Sequence, residues 1–216
     1  MIKCIIFDLD GTLIDTLKDL GTTANDILNE YGYSSIDIEQ YRYIVGNGIR
    51  TLMERSLTRV NGDLSLLDDA YAKFIKNYNE NCLKYACLYP GIKELIEELK
   101  NKDYLLYVNT NKNHEISIEM INYFLPNVFL GVYGDSKDFP RKPSPYIVNT
   151  IIDRHNLKID EVLYVGDSNV DCITAHNANI KVVGCKYGFR GEEELRANGA
   201  DYLIDTPLDL LKILNN

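Results

Sequence analysis

The sequence contains no tryptophan, only three methionines and six prolines, and no long run of hydrophobic residues. Its five cysteines form no Cys-x-x-Cys pair, and its three histidines form neither a His-x-His nor a His-Glu-x-x-His pattern. These spacings give no support to a disulfide scaffold or to a histidine-based zinc site. We expect the cysteines to be structural thiols in a reducing compartment.

Positive charge is also scarce. The chain has 23 Lys and Arg against 32 Asp and Glu, which gives a net charge of -9 and a pI near 4.9. Such a background repels polyanions, so we expect no nucleic acid and no membrane as partner, and an anionic ligand would need a local cation. The apolar stretch at residues 1–7 is too short for a signal sequence or a membrane span, so we expect a cytoplasmic protein.

Short apolar runs alternate with stretches of helical period, such as Ile92, Leu95, Ile96 and Leu99. This alternation predicts an α/β fold with a Rossmann-like parallel sheet and helices on both faces. The predicted strands are residues 3–7, 104–109, 128–133, 162–166, 181–185 and 202–204.

One interval breaks the alternation. Residues 15–88 contain no convincing strand, but they carry apolar residues at helical spacing, which predicts an all-helical domain inserted after the first strand. Tyr89-Pro90-Gly91 marks the return to the sheet. We therefore predict a catalytic core of residues 1–14 and 89–216 and a small helical cap of residues 15–88.

Clusters of polar residues follow the first four long predicted strands. The carboxyl ends of parallel strands lie at one edge of a sheet, which is where ligands bind in such folds, so we expect the clusters to meet. In chain order they are Asp8-Leu9-Asp10-Gly11-Thr12, Thr110-Asn111-Lys112, Arg141-Lys142-Pro143 and Gly166-Asp167-Ser168-Asn169-Val170-Asp171.

Carboxylates at one edge need a counter-charge. Two of them about 4 Å apart repel by about 4 kcal/mol at an effective dielectric constant of about 20. Asp8, Asp10 and Asp167 would together suit Mg²⁺ and a phosphate, with Lys142 and Thr110 as further phosphate donors. Taken singly, each element also has a structural explanation: Asp-Gly is typical of turns, and Asp167 and Asp171 are typical of a helix N-terminus.

With these motifs in view, the chain closely resembles the haloacid dehalogenase superfamily over essentially its whole length, and within it the phosphoglycolate phosphatase-like branch. Weaker branch signals are residues 45–48, 89–91 and 187–191, and Asn109, Ser144 and Asn179 depart from the usual pattern. The motifs that carry the resemblance are Asp8-Leu9-Asp10-Gly11-Thr12-Leu13, Thr110 with Asn111, Lys142-Pro143 and the segment from Gly166 to Asp171.

The resemblance implies a two-step phosphoryl transfer. Asp8 would be the nucleophile that forms an aspartyl-phosphate, and Asp10 would act as acid and then as base. Mg²⁺ would be held by the Asp8 carboxylate, the Asp10 main-chain carbonyl and Asp167. Asp171 would order the waters of the metal or add negative charge. The implied phosphoryl-binding residues are Gly11, Thr110, Asn111 and Lys142, of which Thr110 and Lys142 also count as catalytic.

The substrate expected from the resemblance is a small phosphorylated metabolite similar to 2-phosphoglycolate. Arg50 in the helical insertion would meet its carboxylate, although a solvated helix face is the favoured explanation of this arginine. A sugar-phosphate mutase, an inorganic pyrophosphatase and a non-catalytic sensor module of the same fold remain as alternatives. A monomer or weak homodimer is expected.

Overall fold

The structure is a computed structural model that describes residues 1–215. Its contacts divide the chain into two compact units. Unit 1 consists of Met1–Ile14 and Leu88–Asn216, and unit 2 consists of Asp15–Cys87. Unit 1 is built on a sheet, and unit 2 is mainly helical.

Six strands of unit 1 form a sheet in the order β5-β4-β1-β6-β7-β8, with all five neighbouring pairs parallel. The short strands β2 and β3 form a separate two-stranded sheet. The eight strands are β1 (Cys4–Phe7), β2 (Ile14–Asp15), β3 (Cys87–Leu88), β4 (Leu105–Asn113), β5 (Gly131–Asp135), β6 (Val162–Gly166), β7 (Lys181–Cys185) and β8 (Tyr202–Ile204).

Helices connect the strands of unit 1, and the predicted α/β fold with a Rossmann-like parallel sheet is confirmed. Short 3₁₀ helices lie at Ile38–Tyr43, Leu64–Leu66, Ile159–Glu161 and Pro207–Asp209. The α-helices are α1 (Leu17–Glu30), α2 (Ile49–Arg59), α3 (Leu67–Asn81), α4 (Ile92–Asn101), α5 (His114–Phe124), α6 (Tyr146–His155), α7 (Asn169–Asn177), α8 (Glu192–Ala197) and α9 (Leu210–Leu214).

The core of unit 1 lies around the two central strands. All residues of β1 and β6 are buried, as expected for parallel strands covered on both faces. One face packs Ile6 and Tyr164 against Ile151 of α6 and Ala175 of α7. Strand β1 lies between β4 and β6, where the chain changes its winding direction, and such a switch point is the usual position of a ligand site.

Unit 2 has its own core. Helix α1 buries its apolar face, and the buried Asn25 exchanges two hydrogen bonds of 2.8 Å with the main chain of Ile36 and accepts a third, of 2.9 Å, from Tyr41 Oη. These bonds satisfy the polar groups of a side chain that would otherwise be costly to bury.

The main differences from the sequence-based expectation concern β4, β5 and two short strands. Strand β4 runs to Asn113 instead of ending at residue 109, and β5 begins at Gly131 instead of residue 128. Asp15 and Cys87–Leu88 belong to short strands, inside an interval expected to hold none. These strands have two residues each, too few to show any alternation.

The five cysteines are free thiols, and four of them are buried as expected. Cys87 is the exception, because it is exposed. No helix within residues 1–215 has the length and apolar character needed to cross a membrane.

Candidate active site

Asp8 lies directly after the central strand β1. Its main-chain N–H donates to the Val165 carbonyl of β6 at 2.9 Å, so the ladder between β1 and β6 continues up to this residue. The Asp8 side chain is buried, and its Oδ1 accepts a hydrogen bond of 2.7 Å from the N–H of Leu9. The rigid centre of the sheet therefore fixes a carboxylate at the switch point.

Lys142 brings an ammonium group to this carboxylate. Its Nζ lies 2.9 Å from Asp8 Oδ1 and 2.6 Å from Asp171 Oδ1, and 3% of its side chain is exposed. Burial lowers the pKa of Lys142, but Asp171 and Asp8 more than offset this effect, so its pKa lies well above the ordinary value. Lys142 is therefore a permanent positive charge beside Asp8.

Asn111 fixes the backbone of Lys142. Its Oδ1 accepts from the N–H of Lys142 at 2.9 Å, and its Nδ2 donates to the carbonyl of Lys142 at 3.2 Å. Both polar atoms of the predicted phosphoryl-binding side chain thus contact main chain. The Asn111 amide positions the loop that carries the lysine.

A buried cluster of three carboxylates surrounds this point. Asp8, Asp167 and Asp171 each offer one oxygen, and the three oxygens lie within 4.8 Å of one another. Asp167 Oδ2 accepts from the N–H of Phe189 at 2.7 Å. Asp171 Oδ2 accepts from Ser168 N and Ser168 Oγ in a capping box at the start of α7.

The single ammonium of Lys142 does not balance these three carboxylates. Burial, followed by repulsion from Asp171, raises the pKa of Asp8 to about 7 in spite of Lys142. Burial, Asp171 and Asp8 likewise raise the pKa of Asp167 well above its ordinary value. Full ionisation of the cluster therefore requires a further positive charge.

The donor set fits Mg²⁺, which prefers one or two carboxylates together with water and phosphate oxygens. Asp171 already contacts Ser168 and Lys142 through its two oxygens, so Asp8 and Asp167 are the better-placed ligands. Backbone also approaches closely, because a Cβ at Gly11 would lie 2.3 Å from Asp167 Oδ2. Gly11 has φ of +84°, so both space and conformation require glycine here.

Asp10 lies outside this carboxylate cluster. Its carboxylate faces the ammonium group of Lys112, whose Nζ is 3.1 Å from Oδ1 and 3.2 Å from Oδ2. Thr110, two residues before Lys112, is buried, and its Oγ1 accepts from the N–H of Lys112 at 3.3 Å. Unit 1 thus holds two buried lysines at the carboxyl end of the sheet.

Arg50 belongs to unit 2, where it lies in the first turn of α2. Its NH1 lies 2.6 Å from Asp68 Oδ1, and the two side chains are 51% and 84% exposed. This ion pair is a surface contact. A role of Arg50 in substrate binding stays a prediction.

Two polar residues of the site were missed in the sequence. Lys112 was seen as part of Thr110-Asn111-Lys112 but was given no function, because nothing local indicates its pairing with Asp10. Ser168, not Asp167, is the N-cap of α7, with Asp171 three positions later. The Ser-x-x-Asp spacing is a signal that would have found this cap.

Comparisons with known proteins identify the family of this chain. The family model for haloacid dehalogenase-like hydrolases matches residues 5–185. A phosphoglycolate phosphatase of Vibrio parahaemolyticus is 34% identical over 99% of this chain and 96% of that protein. One of Haemophilus influenzae is 32% identical over 98% of both chains.

A solved structure of a predicted phosphoglycolate phosphatase from Haemophilus somnus 129pt superposes with a TM-score of 0.91. It is 30% identical in sequence, and the match covers 99% of this chain and 98% of that one. The chain therefore belongs to the haloacid dehalogenase-like hydrolases. Its predicted likeness to the phosphoglycolate phosphatase-like branch is confirmed, and so is the prediction of an enzyme of the phosphoric monoester hydrolase class.

Proposed function

We propose that the protein is a Mg²⁺-dependent phosphatase that hydrolyses a small phosphate monoester similar to 2-phosphoglycolate through an aspartyl-phosphate on Asp8. The observation that carries the proposal is the position of Asp8 at the end of β1, with Lys142 Nζ 2.9 Å from its Oδ1 and Asp167 and Asp171 beside it. The relatives named phosphoglycolate phosphatase support the class of substrate.

In the first step, a carboxylate oxygen of Asp8 attacks phosphorus, and the bond from phosphorus to the leaving oxygen breaks. Asp10 gives its carboxyl proton to that oxygen, which leaves as an alcohol. Lys142 stabilises the charge on the phosphoryl oxygens, together with the hydroxyl of Thr110 and main-chain N–H groups near Gly11.

In the second step, water attacks the phosphorus of the aspartyl-phosphate, Asp10 takes the proton of the water, and the Asp8 carboxylate is released. Mg²⁺, held by the Asp8 and Asp167 carboxylates and the Asp10 main-chain carbonyl, would supply the positive charge that the carboxylate cluster and the phosphate require. Asp171 orients Lys142 and remains outside the direct ligand set.

Several expectations from the sequence belong to this proposal. We keep a cytoplasmic location, a monomeric or weakly dimeric state, and a cap role for residues 15–88 that sorts leaving groups. The net charge of -9 supports the absence of nucleic acid and membrane partners, since it repels polyanions.

A panel of phosphate esters tests the function. We expect release of inorganic phosphate from small esters with Mg²⁺, loss of release in excess chelator, and recovery when Mg²⁺ is added again. Isomerisation without release would indicate a mutase, and preference for pyrophosphate over every ester a pyrophosphatase. If no substrate in the panel reacts, the phosphatase proposal fails and a sensor module is favoured.

A further inference from the structure

Lys112 and Asp10 form a partly buried ion pair that the mechanism above does not use. The ammonium contacts both oxygens of one carboxylate, at 3.1 and 3.2 Å, and the side chains are 2% and 19% exposed. The residues come from β4 and from the segment after β1, and 102 positions separate them.

The path of β4 brings Lys112 to this position. The strand continues beyond its apolar part, and its pairing with β5 shifts in register between Asn109 and Asn113. In an extended segment, alternate side chains share a face, so Thr110 and Lys112 belong to one set and Asn111 to the other. Asn111 fixes the Lys142 loop, and Lys112 contacts Asp10.

Burial of a lysine is costly unless a charge or several hydrogen bonds compensate for it. Here the compensating group is the carboxylate of Asp10, which gives and takes the proton in the proposed mechanism. A contact to both oxygens also restricts rotation of the carboxyl group, which a bond to one oxygen would leave free. The geometry thus suits orientation of Asp10.

We propose that Lys112 is a positioning residue that holds the carboxyl group of Asp10 in place for proton transfer to the leaving oxygen. The inference rests on the proposed function. Lys112 keeps its protons throughout: the proton that Asp10 loses goes to the leaving oxygen, and the proton that it regains comes from water.

This role has a specific kinetic signature. A leaving alkoxide needs a proton as its bond to phosphorus breaks, whereas p-nitrophenolate leaves readily without one. A defect in the position of Asp10 therefore lowers kcat/KM, which reports the first step, much more for alkyl esters than for p-nitrophenyl phosphate. The second step is the same for all esters and affects kcat alone. Loss of a phosphate-binding or purely structural group affects all esters alike.

The test compares kcat and KM of Lys112→Met across aryl and alkyl phosphates of increasing leaving-group pKa. We expect kcat/KM, which reports the first step, to fall about 100-fold for alkyl esters and less than about 3-fold for p-nitrophenyl phosphate. Lys112→Arg, which keeps the charge and two donors, should recover part of the loss. Lys212→Met, which removes an exposed lysine paired with Asp209, is the matched control and should leave the series unchanged.

A double variant provides a second test in case Lys112→Met alone folds poorly. Asp10→Asn with Lys112→Met leaves no buried charge unpaired, and its rates should equal those of Asp10→Asn alone, because Lys112 acts through Asp10. Equal loss of kcat/KM for all esters, additive losses in the double variant, or a KM raised only for carboxylate-bearing esters would overturn the inference. If the wild-type protein hydrolyses no ester, the proposed function has failed instead.

Discussion

The two buried lysines of unit 1 differ in the charge that they face. Lys142 lies among three carboxylates and contacts Asp8 and Asp171, whereas Lys112 contacts both oxygens of Asp10. Their side chains are equally buried, at 3% and 2% exposure. The first region keeps an excess of negative charge and suits a cation and a nucleophile. The second places one ammonium group against one carboxyl group and suits the orientation of that group.

The largest expected effect distinguishes the role of Asp8 from that of Asp10. Asp8→Asn should lower turnover of every ester by at least about 10⁴-fold, because an amide cannot accept the phosphoryl group while its shape preserves the fold. Asp10→Asn should instead lower kcat/KM mainly for alkyl esters. Phosphate release across the ester panel measures both. Turnover by folded Asp8→Asn protein at the wild-type rate would contradict the account.

Lys142→Met should have the next largest effect on activity. It removes the ammonium beside the nucleophile, so kcat should fall about 10³-fold for aryl and alkyl esters alike. It also leaves the Asp8 and Asp171 carboxylates buried without their partner, which should cost about 3–5 kcal/mol in the free energy of unfolding of metal-free protein. A loss confined to poor leaving groups would mean that the two lysines do not have separate roles.

The excess charge near Lys142 predicts a pH dependence in metal-free protein. Burial and Asp171 raise the pKa of Asp8 from 3.8 to about 7, so folding favours its protonated form. This contribution to stability is fully present below about pH 4 and is lost as the pH rises through about 7. Urea unfolding with chelator between pH 4 and 8 should therefore show a decline that is shallower in Asp8→Asn. An equal slope in both proteins would refute the assignment.

The smallest effect concerns the support of Lys142. Asn111→Ala removes two buried hydrogen bonds to the main chain of Lys142, which should lower the free energy of unfolding by about 1–3 kcal/mol and kcat by about 10-fold. Asn177→Ala is the control, because Asn177 makes one exposed bond to the neighbouring Pro143 carbonyl. Its effect on stability should stay within about 0.5 kcal/mol. Equal effects of both variants would show that Asn111 does not position Lys142.

Apolar patterning predicted most of the sheet. Strands β6, β7 and β8 have the bounds expected from their apolar runs, because buried parallel strands are apolar on both faces. Apolar patterning did not predict the end of β4, where the strand enters the site. Its last residues are polar, and an apolar run cannot reveal a strand that continues through Thr110, Asn111 and Lys112.

The motifs led to Asp8, Lys142 and Asp167, which the structure brings to one edge of the sheet. Their partners were harder to predict, since the bond of Asn111 to the Lys142 backbone joins residues 31 positions apart and the pair of Lys112 with Asp10 spans 102. Such contacts depend on the order of the strands in the sheet and on shifts in their register. The local spacing of residues in the sequence predicts neither of these.

The most direct test of the central claim is to find phosphate on Asp8 itself. Protein mixed with a phosphate ester and Mg²⁺ is quenched in acid during turnover and reduced with borohydride, which converts an acyl phosphate of aspartate to homoserine, and its peptides are then read by mass spectrometry. The account predicts homoserine at position 8 in the wild-type protein, dependent on substrate. Unmodified Asp8 during rapid turnover, or a modified residue elsewhere, would contradict it.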